Sequence, residues 1–339
     1  MNLFTSIIRR LLLMVPMLIG ITLLLFIVTH LVPTNPLVVI LPEKSLGDPV
    51  IVKITIEKWG LDKPLYVQYL VYLKNLLQGD LGTSFKTKNP VAYDLGIFLP
   101  ATIELALASF IFAVVVGLPL GIISALKNGS FIDQFTRFIS LLGASMPPFW
   151  SGLLALFVFY FKLRWLPGPG RIDARMTAPP TVTGFFLVDS LINNNMAEFW
   201  SSITHLILPA IILGWFTLAI TARITRSSML EIMQMDYIRT ARAKGMKEMI
   251  VVIRHALRNA MIPLVTSLGL AFAGLMTGAI MTETIFSWPG IGRYAVLAAT
   301  NLDLPAIMGV TLLLSVFYMF INLFVDILYV IIDPRIRET

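Results

Sequence analysis

The densest run of charge in this 339-residue chain is MDYIRTARAKGMKEMIVVIRHALRNAMIP, residues 235–263, and it is the segment best equipped to do chemistry. Its excess of Arg and Lys suits docking, either onto a partner or onto anionic lipid headgroups. Gly245 divides it. After that break Met246, Met249, Ile250, Ile253 and Leu257 mark one apolar face while Lys247, Arg254 and Arg258 stay polar, so the spacing predicts helix, hinge and helix. Catalytic constellations are harder to find. The three histidines, His30, His205 and His255, lie on three segments with no i, i+4 pair, which gives no zinc-hydrolase pattern and leaves each as a structural residue. No G-x-x-x-x-G-K-[ST] string exists to cradle nucleotide phosphates, and with no cysteine there is neither a thiolate metal site nor a disulfide. No metal site or catalytic set is therefore expected.

The elements that must carry the charged segment are apolar. The chain is 57% hydrophobic and 13% charged, well outside the soluble range, so lipid is its expected solvent. About 20 apolar residues cross a hydrocarbon core of about 30 Å. By that yardstick six spans are expected, at 11–32, 101–126, 138–160, 205–221, 261–281 and 305–332. The fold class is thus all-α and polytopic. Arg9 and Arg10 precede the first run, which is longer than a signal-peptide core and reads as a retained span. The net charge of +7 collects between spans rather than on one soluble face, which points to topology rather than nucleic acid. Arg223, Arg226, Arg239, Arg242, Lys244 and Lys247 follow span four, and Lys127 and Arg137 follow span two, which makes those loops and both termini cytoplasmic.

Four parts follow: a tail and first span (1–32), an external cap (33–100), a five-helix core (101–332) containing the basic loop at 223–260, and a cytoplasmic tail (333–339). Within the cap Val67, Leu70, Val71, Leu73, Leu76 and Leu77 predict a short amphipathic helix stopped at Gly79-Asp80. The second external loop, 161–204, is expected to be irregular because of its prolines and glycines. Glu104 reads as a first-turn carboxylate of span two, favoured by the helix dipole. Asp326 is too deep to face lipid and should meet protein or water through an inter-helix hydrogen bond.

Small residues form two faces. Ser140, Gly143, Ala144 and Ser145 lie in span three, and Gly269, Ala271, Ala273, Gly274 and Gly278 in span five; these serve either as packing seams or as pore wall. Beyond span five, Glu283, Trp288, Pro289, Gly290 and Arg293 form a compact loop. It suits contact with a substrate-delivering protein, closure of an outer gate, or a tight turn anchored by Trp288 at the interface.

The basic segment resembles the cytoplasmic loop of bacterial ATP-binding-cassette import permeases, whose pattern is EAA, three residues, Gly, nine residues, Ile-x-Leu-Pro. Counting from Gly245, Arg239-Thr240-Ala241 occupy the EAA place, and His255, Leu257 and Arg258 the Ile, Leu and Pro places. DYIRTARAKG followed by HALRNAMIP looks like the version in the dipeptide, oligopeptide and nickel permease family. In the same order stand RRLLLMVPMLIGITLLLFIVTHLVP, GLDKPLYVQYLVYLKNLLQGDLGTSF, SMPPFWSG, ETIFSWPGIGR and DPRIR, so the resemblance covers nearly the whole chain. The long loop after span one resembles the first, or B-type, of the two permeases. Pro33-Thr34-Asn35-Pro36 departs from the family's usual Pro-Gly-Asp-Pro and removes a carboxylate there.

The resemblance implies a type I importer permease in the cytoplasmic membrane of a bacterium or archaeon, paired with a second homologous permease. It implies two cytoplasmic ATPases that bind ATP and Mg, and an external solute-binding protein. It assigns Asp236, Tyr237, Ile238, Arg239, Thr240, Ala241, Arg242, Ala243, Lys244 and Gly245, with His255, Leu257 and Arg258, to ATPase coupling. Arg239, Arg242 and Lys244 would supply charge contacts, and Ile238 and Ala241 packing. Of the small faces, Ser145, Gly269, Ala273, Gly274 and Gly278 become the candidate pathway lining. Peptides are the expected solute, with oligosaccharides or nickel chelates as alternatives. An ion-coupled secondary transporter would need mid-membrane ionisable residues or broken helices, and only Asp326 comes near. A membrane-embedded enzyme would need nucleophile, base or ligands at one depth, and none is visible.

Overall fold

The computed structural model describes residues 3–31, 37, 41, 45–59 and 62–332, and among these regular structure is helical except for an isolated antiparallel bridge between Thr83 and Pro90. Pro33-Thr34-Asn35-Pro36, the side chain of Asp326 and the tail 333–339 lie outside the described residues. The helices are α1 (Leu3–Leu31), α2 (Pro49–Trp59), α3 (Leu65–Leu77), α4 (Val91–Leu126), α5 (Phe131–Ser145) and α6 (Pro148–Ala155, continuing as a π-helix over Leu156–Lys162). After them come α7 (Phe186–Ile192), α8 (Met196–Ile232), α9 (Asp236–Ala243), α10 (Arg258–Ile285), α11 (Ile291–Thr300) and α12 (Leu304–Ile332).

Five of these, α1, α4, α8, α10 and α12, are long and apolar enough to cross a membrane. The expected single helix over 138–160 does not exist. In its place α5 and α6 meet at a bend of 109°, and only the pair together completes a sixth crossing. The cause is local: Pro147 and Pro148 offer no backbone N–H, and a residue before proline is driven out of the helical region. Met146 accordingly takes φ −82 and ψ 129, and Pro147 φ −61 and ψ 132.

Helices α4 and α8 run 36 and 37 residues. At 1.5 Å per residue each is roughly 54 Å long, far more than a hydrocarbon core of about 30 Å requires. Their ends therefore stand outside the apolar layer. Helix α8 is the centre of the bundle, with 56% of its most apolar window buried against 17% for α1. Its neighbours α4 and α10 enclose Ala101, Leu105, Leu206, Ala210, Leu213, Met276, Ala279 and Trp288 as one core. A second cluster, Ala125, Met229, Ile238, Ala241, Val251, Val252, Ala256 and Ala260, closes the end that carries the basic loop. A third, Val91, Leu95, Ile291, Tyr294, Ala298, Ala306 and Val310, closes the opposite end.

The expected amphipathic helix before Gly79 is α3. It docks on α1 through Tyr69 and Tyr72, whose rings lie 5.4 and 6.2 Å from that of Phe26, while the Tyr69 hydroxyl reaches Thr22 at 3.0 Å.

Candidate functional site

At the basic end, α8 finishes at Ile232 and α9 begins at Asp236, so the segment expected to couple to an ATPase hangs directly from the central helix. Within α9 only Ile238 and Ala241 are buried, at 0% and 7% exposure. They face Met229, Val251, Val252 and Ala256 of their own chain, so they hold α9 on its bundle and present nothing to a partner. The outward face carries Asp236, Tyr237, Arg239, Thr240, Arg242, Ala243 and Lys244, all exposed. Tyr237 is braced by Asn259, whose side-chain amide donates to its hydroxyl at 2.9 Å, which ties α9 to the start of α10.

Gly245 follows with φ +73, and a Cβ there would meet nothing within 4 Å. Its role is the left-handed turn rather than close approach, because only glycine takes that conformation without steric cost. Arg242 spans the turn and donates to both carboxylate oxygens of Glu248, at 2.6 and 3.1 Å. The Arg242 hydrogen bond holds the Glu248 carboxyl below its ordinary value near 4.5, with slight burial opposing. The pair's stabilisation is therefore present above that ordinary value and fades as pH falls through the depressed one. Both side chains are about half exposed, so Glu248→Gln should cost only about 0.2–1 kcal/mol, and less at high salt. Thermal unfolding at low and high ionic strength measures this; an effect that grows with salt would contradict an ion pair.

After the turn, Glu248–Ile250 leads into a π-helical turn, Val251–Leu257, and then α10. His255 and Leu257 are half-buried on this turn, Leu257 packing on the basic-end cluster, and Arg258 is exposed. Of the expected coupling residues, then, the structure gathers an exposed charged face and a buried anchoring face.

The opposite end is built around α10's exit. Glu283, 0% exposed, accepts the Thr102 hydroxyl at 2.6 Å and the Arg293 backbone N–H at 2.9 Å. Thr102 also accepts the Ile291 N–H at 2.7 Å, and the Trp288 indole donates to the Ala101 carbonyl at 2.8 Å. Gly290 is buried against the Glu283 carboxylate, and half-buried Arg293 donates to the Ser287 carbonyl at 3.0 Å. The loop expected to meet a delivering protein is thus a knot that locks α10 and α11 onto α4. Glu283, Trp288 and Gly290 offer no surface to such a protein, because each is enclosed by its own chain. An anchor of Trp288 at the lipid interface fails for the same reason.

Beside the knot lies a buried ion pair that sequence reading missed. The guanidinium of Arg171, from the loop after α6, donates to Glu104 at 2.5 Å and to the Gly184 carbonyl at 3.2 Å. It stacks 3.7 Å from the ring of Phe186 and lies 5.5 Å from that of Trp288. Burial holds the Arg171 guanidinium below its ordinary range, against the opposing pull of Glu104. Glu104 is not a first-turn residue, because α4 begins at Val91. The helix continues outward through the polar turn around Asp94, where hydropathy falls but hydrogen bonding does not.

The small residues of α10 divide. A Cβ at Gly269 would run into Val325 of α12, and Ala273 is 1% exposed, so these two make a packing seam. Gly274 and Gly278 have open space beside them and line a groove of about 510 Å³ with Leu213, Phe216, Thr217 and Ile220 of α8. Ser145 is exposed beside the bend and is not part of this lining.

Residues 117–338 match the family described as binding-protein-dependent transport system inner membrane component, and residues 3–106 match the N-terminal region of such membrane components. The chain belongs to this family. As an importer permease it has full-length relatives. It is 47% identical to the dipeptide transport system permease DppB of Alkalihalophilus pseudofirmus over 97% of this chain and 98% of that one. It is 46% identical to the di/tripeptide permease DppB of Pseudomonas aeruginosa, with coverage of 97% and 98%. The oligopeptide permease AppB of Bacillus subtilis is 40% identical, with 98% of both chains covered. Among solved structures, the MetNI methionine ABC transporter in inward-facing conformations matches with a TM-score of 0.50 and 16% identity. That match covers 69% of this chain and 93% of the other, and shows a shared fold. Membership decides against the ion-coupled reading, which the break between α5 and α6 would otherwise have revived.

Proposed function

We propose that this permease is the B-type subunit of an importer for di- and oligopeptides in the cytoplasmic membrane of a bacterium or archaeon. It pairs with a second, homologous permease, receives its solute from an external binding protein, and is driven by two cytoplasmic ATPases that bind ATP and Mg. The peptide assignment rests on the names of relatives that align over nearly its full length. The coupling assignment rests on one observation: α9 presents Arg239, Thr240 and Lys244 outward while Ile238 and Ala241 fix it to the central helix bundle. A helix held in this way moves with α8 when it is gripped, which is what transmission from an ATPase to a gate requires. The groove beside Gly274 and Gly278 is the part of the small-residue face that suits the solute pathway between two permeases.

Gly245→Val tests the coupling role. A β-branched residue cannot hold φ +73 without strain of about 1–2 kcal/mol, and the turn that sets α9 against α10 will shift. Membrane insertion and the helix bundle should survive. Co-purification of ATPase subunits and uptake of a labelled dipeptide should fall by about tenfold. Normal uptake by this variant would remove α9 from the coupling path.

A further inference from the structure

Three helix ends meet at a single carboxylate at the basic end of the bundle. Asp133, in the first turn of α5, is 0% exposed. It accepts from Arg226 of α8 through Nε at 2.6 Å and a terminal nitrogen at 3.0 Å, from the Ser124 hydroxyl of α4 at 2.5 Å, and from the Gly129 N–H at 3.0 Å. Arg226 also donates to the Asn128 side chain at 2.9 Å, and the more exposed Arg137 stands 3.8 Å from the same carboxylate. Bidentate charge-assisted bonds of this kind fix orientation as well as distance.

The surrounding packing makes this cluster part of one body. Helices α4 and α8 touch closely one turn away, where a Cβ on Gly121 would lie 2.6 Å from the Thr225 side chain and 2.7 Å from the Ala222 carbonyl. Toward the bend, α5 is pinned to α8 again, with Gly143 against the Trp215 ring and the Trp215 indole donating to the Ile139 carbonyl at 3.3 Å. Beyond the break at Met146-Pro147, the second half of the span keeps α8 as a neighbour and gains the exit of α10. Gly152 lies against Ile285 and Phe286, and Ala155 joins a core with Phe286 and with Leu208 and Ile212 of α8, so α6 packs between α8 and the exit of α10.

We infer that Asp133 and Arg226 are positioning residues that join the start of α5 to the basic-end turns of α4 and α8, and so to the coupling helix α9, as one lever. Arg226 lies on the last turns of α8, which the short turn 233–235 joins to α9, so displacement of α9 by an ATPase is delivered to α5 through this ion pair. Without it the first half of the broken span follows α8 poorly, and hydrolysis proceeds with less transport. This rests on the proposed ATP-driven import.

The test is Asp133→Asn in the full complex, reconstituted in liposomes with its partner permease, ATPases and binding protein. Uptake of labelled dialanine is measured per ATP hydrolysed. Asparagine keeps size and one acceptor but loses the charge that holds Arg226. The ratio should fall by about 5-fold to 150-fold, the usual range of coupling between sites, while the subunits still co-purify. Arg226→Gln breaks the same bond from its less buried side and should show the same loss even if Asp133→Asn assembles poorly. Arg226→Lys, which keeps the charge, should retain most of the ratio. A purely structural role would lower the yield of complex without altering uptake per ATP. An assembled complex of either charge-removing variant with an unchanged ratio overturns the lever, whereas a wild-type chain that recovers no ATPase overturns the import reading itself.

Discussion

Replacing Arg171 with alanine is expected to remove about 3–5 kcal/mol of stability, because it leaves the Glu104 carboxylate buried without its counter-charge. The two side chains are 5% and 7% exposed, so water cannot take the place of the guanidinium. Among the described residues the remaining partner of Glu104 is the Leu187 N–H at 3.0 Å, one neutral donor for a full charge. The aromatic faces of Phe186 and Trp288 lose their cation at the same time. Thermal unfolding of the detergent-solubilised protein gives the size of the effect. The double replacement Arg171→Met with Glu104→Gln should recover most of it, since a buried ion pair replaced as a unit is often neutral in cost. If the single variant is as stable as wild type, Arg171 is not what balances the buried Glu104 carboxylate.

Gly290→Ala should be nearly as damaging. The backbone there is extended, at φ −110 and ψ −178, so conformation is not the obstacle. Space is: the added methyl would occupy the position of the Glu283 carboxylate, which is held on one oxygen by Thr102 and on the other by the Arg293 N–H. A carboxylate with 0% exposure has nowhere to swing. Overpacking costs about 1–3 kcal/mol, and displacing the carboxylate from its donors adds about 1–3 kcal/mol. Adding Glu283→Ala to Gly290→Ala makes room for the methyl and should recover part of the loss. Equal stability of Gly290→Ala and wild type would mean that the knot is looser than its contacts indicate. Arg293→Ala is the control, since among the described residues that side chain donates to the Ser287 carbonyl, and its removal leaves the backbone N–H in place.

Much of the molecule is legible along the chain, because local periodicity and transfer free energy are local quantities. The long apolar runs, the short helix before Gly79 and the hinge at Gly245 each follow from residues within a few positions of one another. The faces of α9 were not legible in this way: the resemblance gave Ile238 and Ala241 to an ATPase, whereas they pack on Met229, Val251, Val252 and Ala256 of their own chain. The break at Met146-Pro147 was local, and the adjacent prolines announce it. Average hydropathy across 138–160 conceals it, since proline disrupts a helix without making it polar.

Pairing across the bundle is another matter. Arg171 reaches Glu104 across 67 positions, Arg226 reaches Asp133 across 93, and Thr102 reaches Glu283 across 181. No spacing rule connects such residues, and each carries a local reading that is reasonable and incomplete: a helix-dipole carboxylate for Glu104, a topology signal for Arg226, an external contact for Glu283. Which charge is buried and what satisfies it depends on where whole helices cross. Only the tertiary structure decided that the ETIFSWPGIGR loop is a sealed knot, and that the two faces of α9 point one to the bundle and one outward. Hydropathy sets how many helices seek lipid, whereas burial of a polar group is affordable only where a distant partner arrives to meet it.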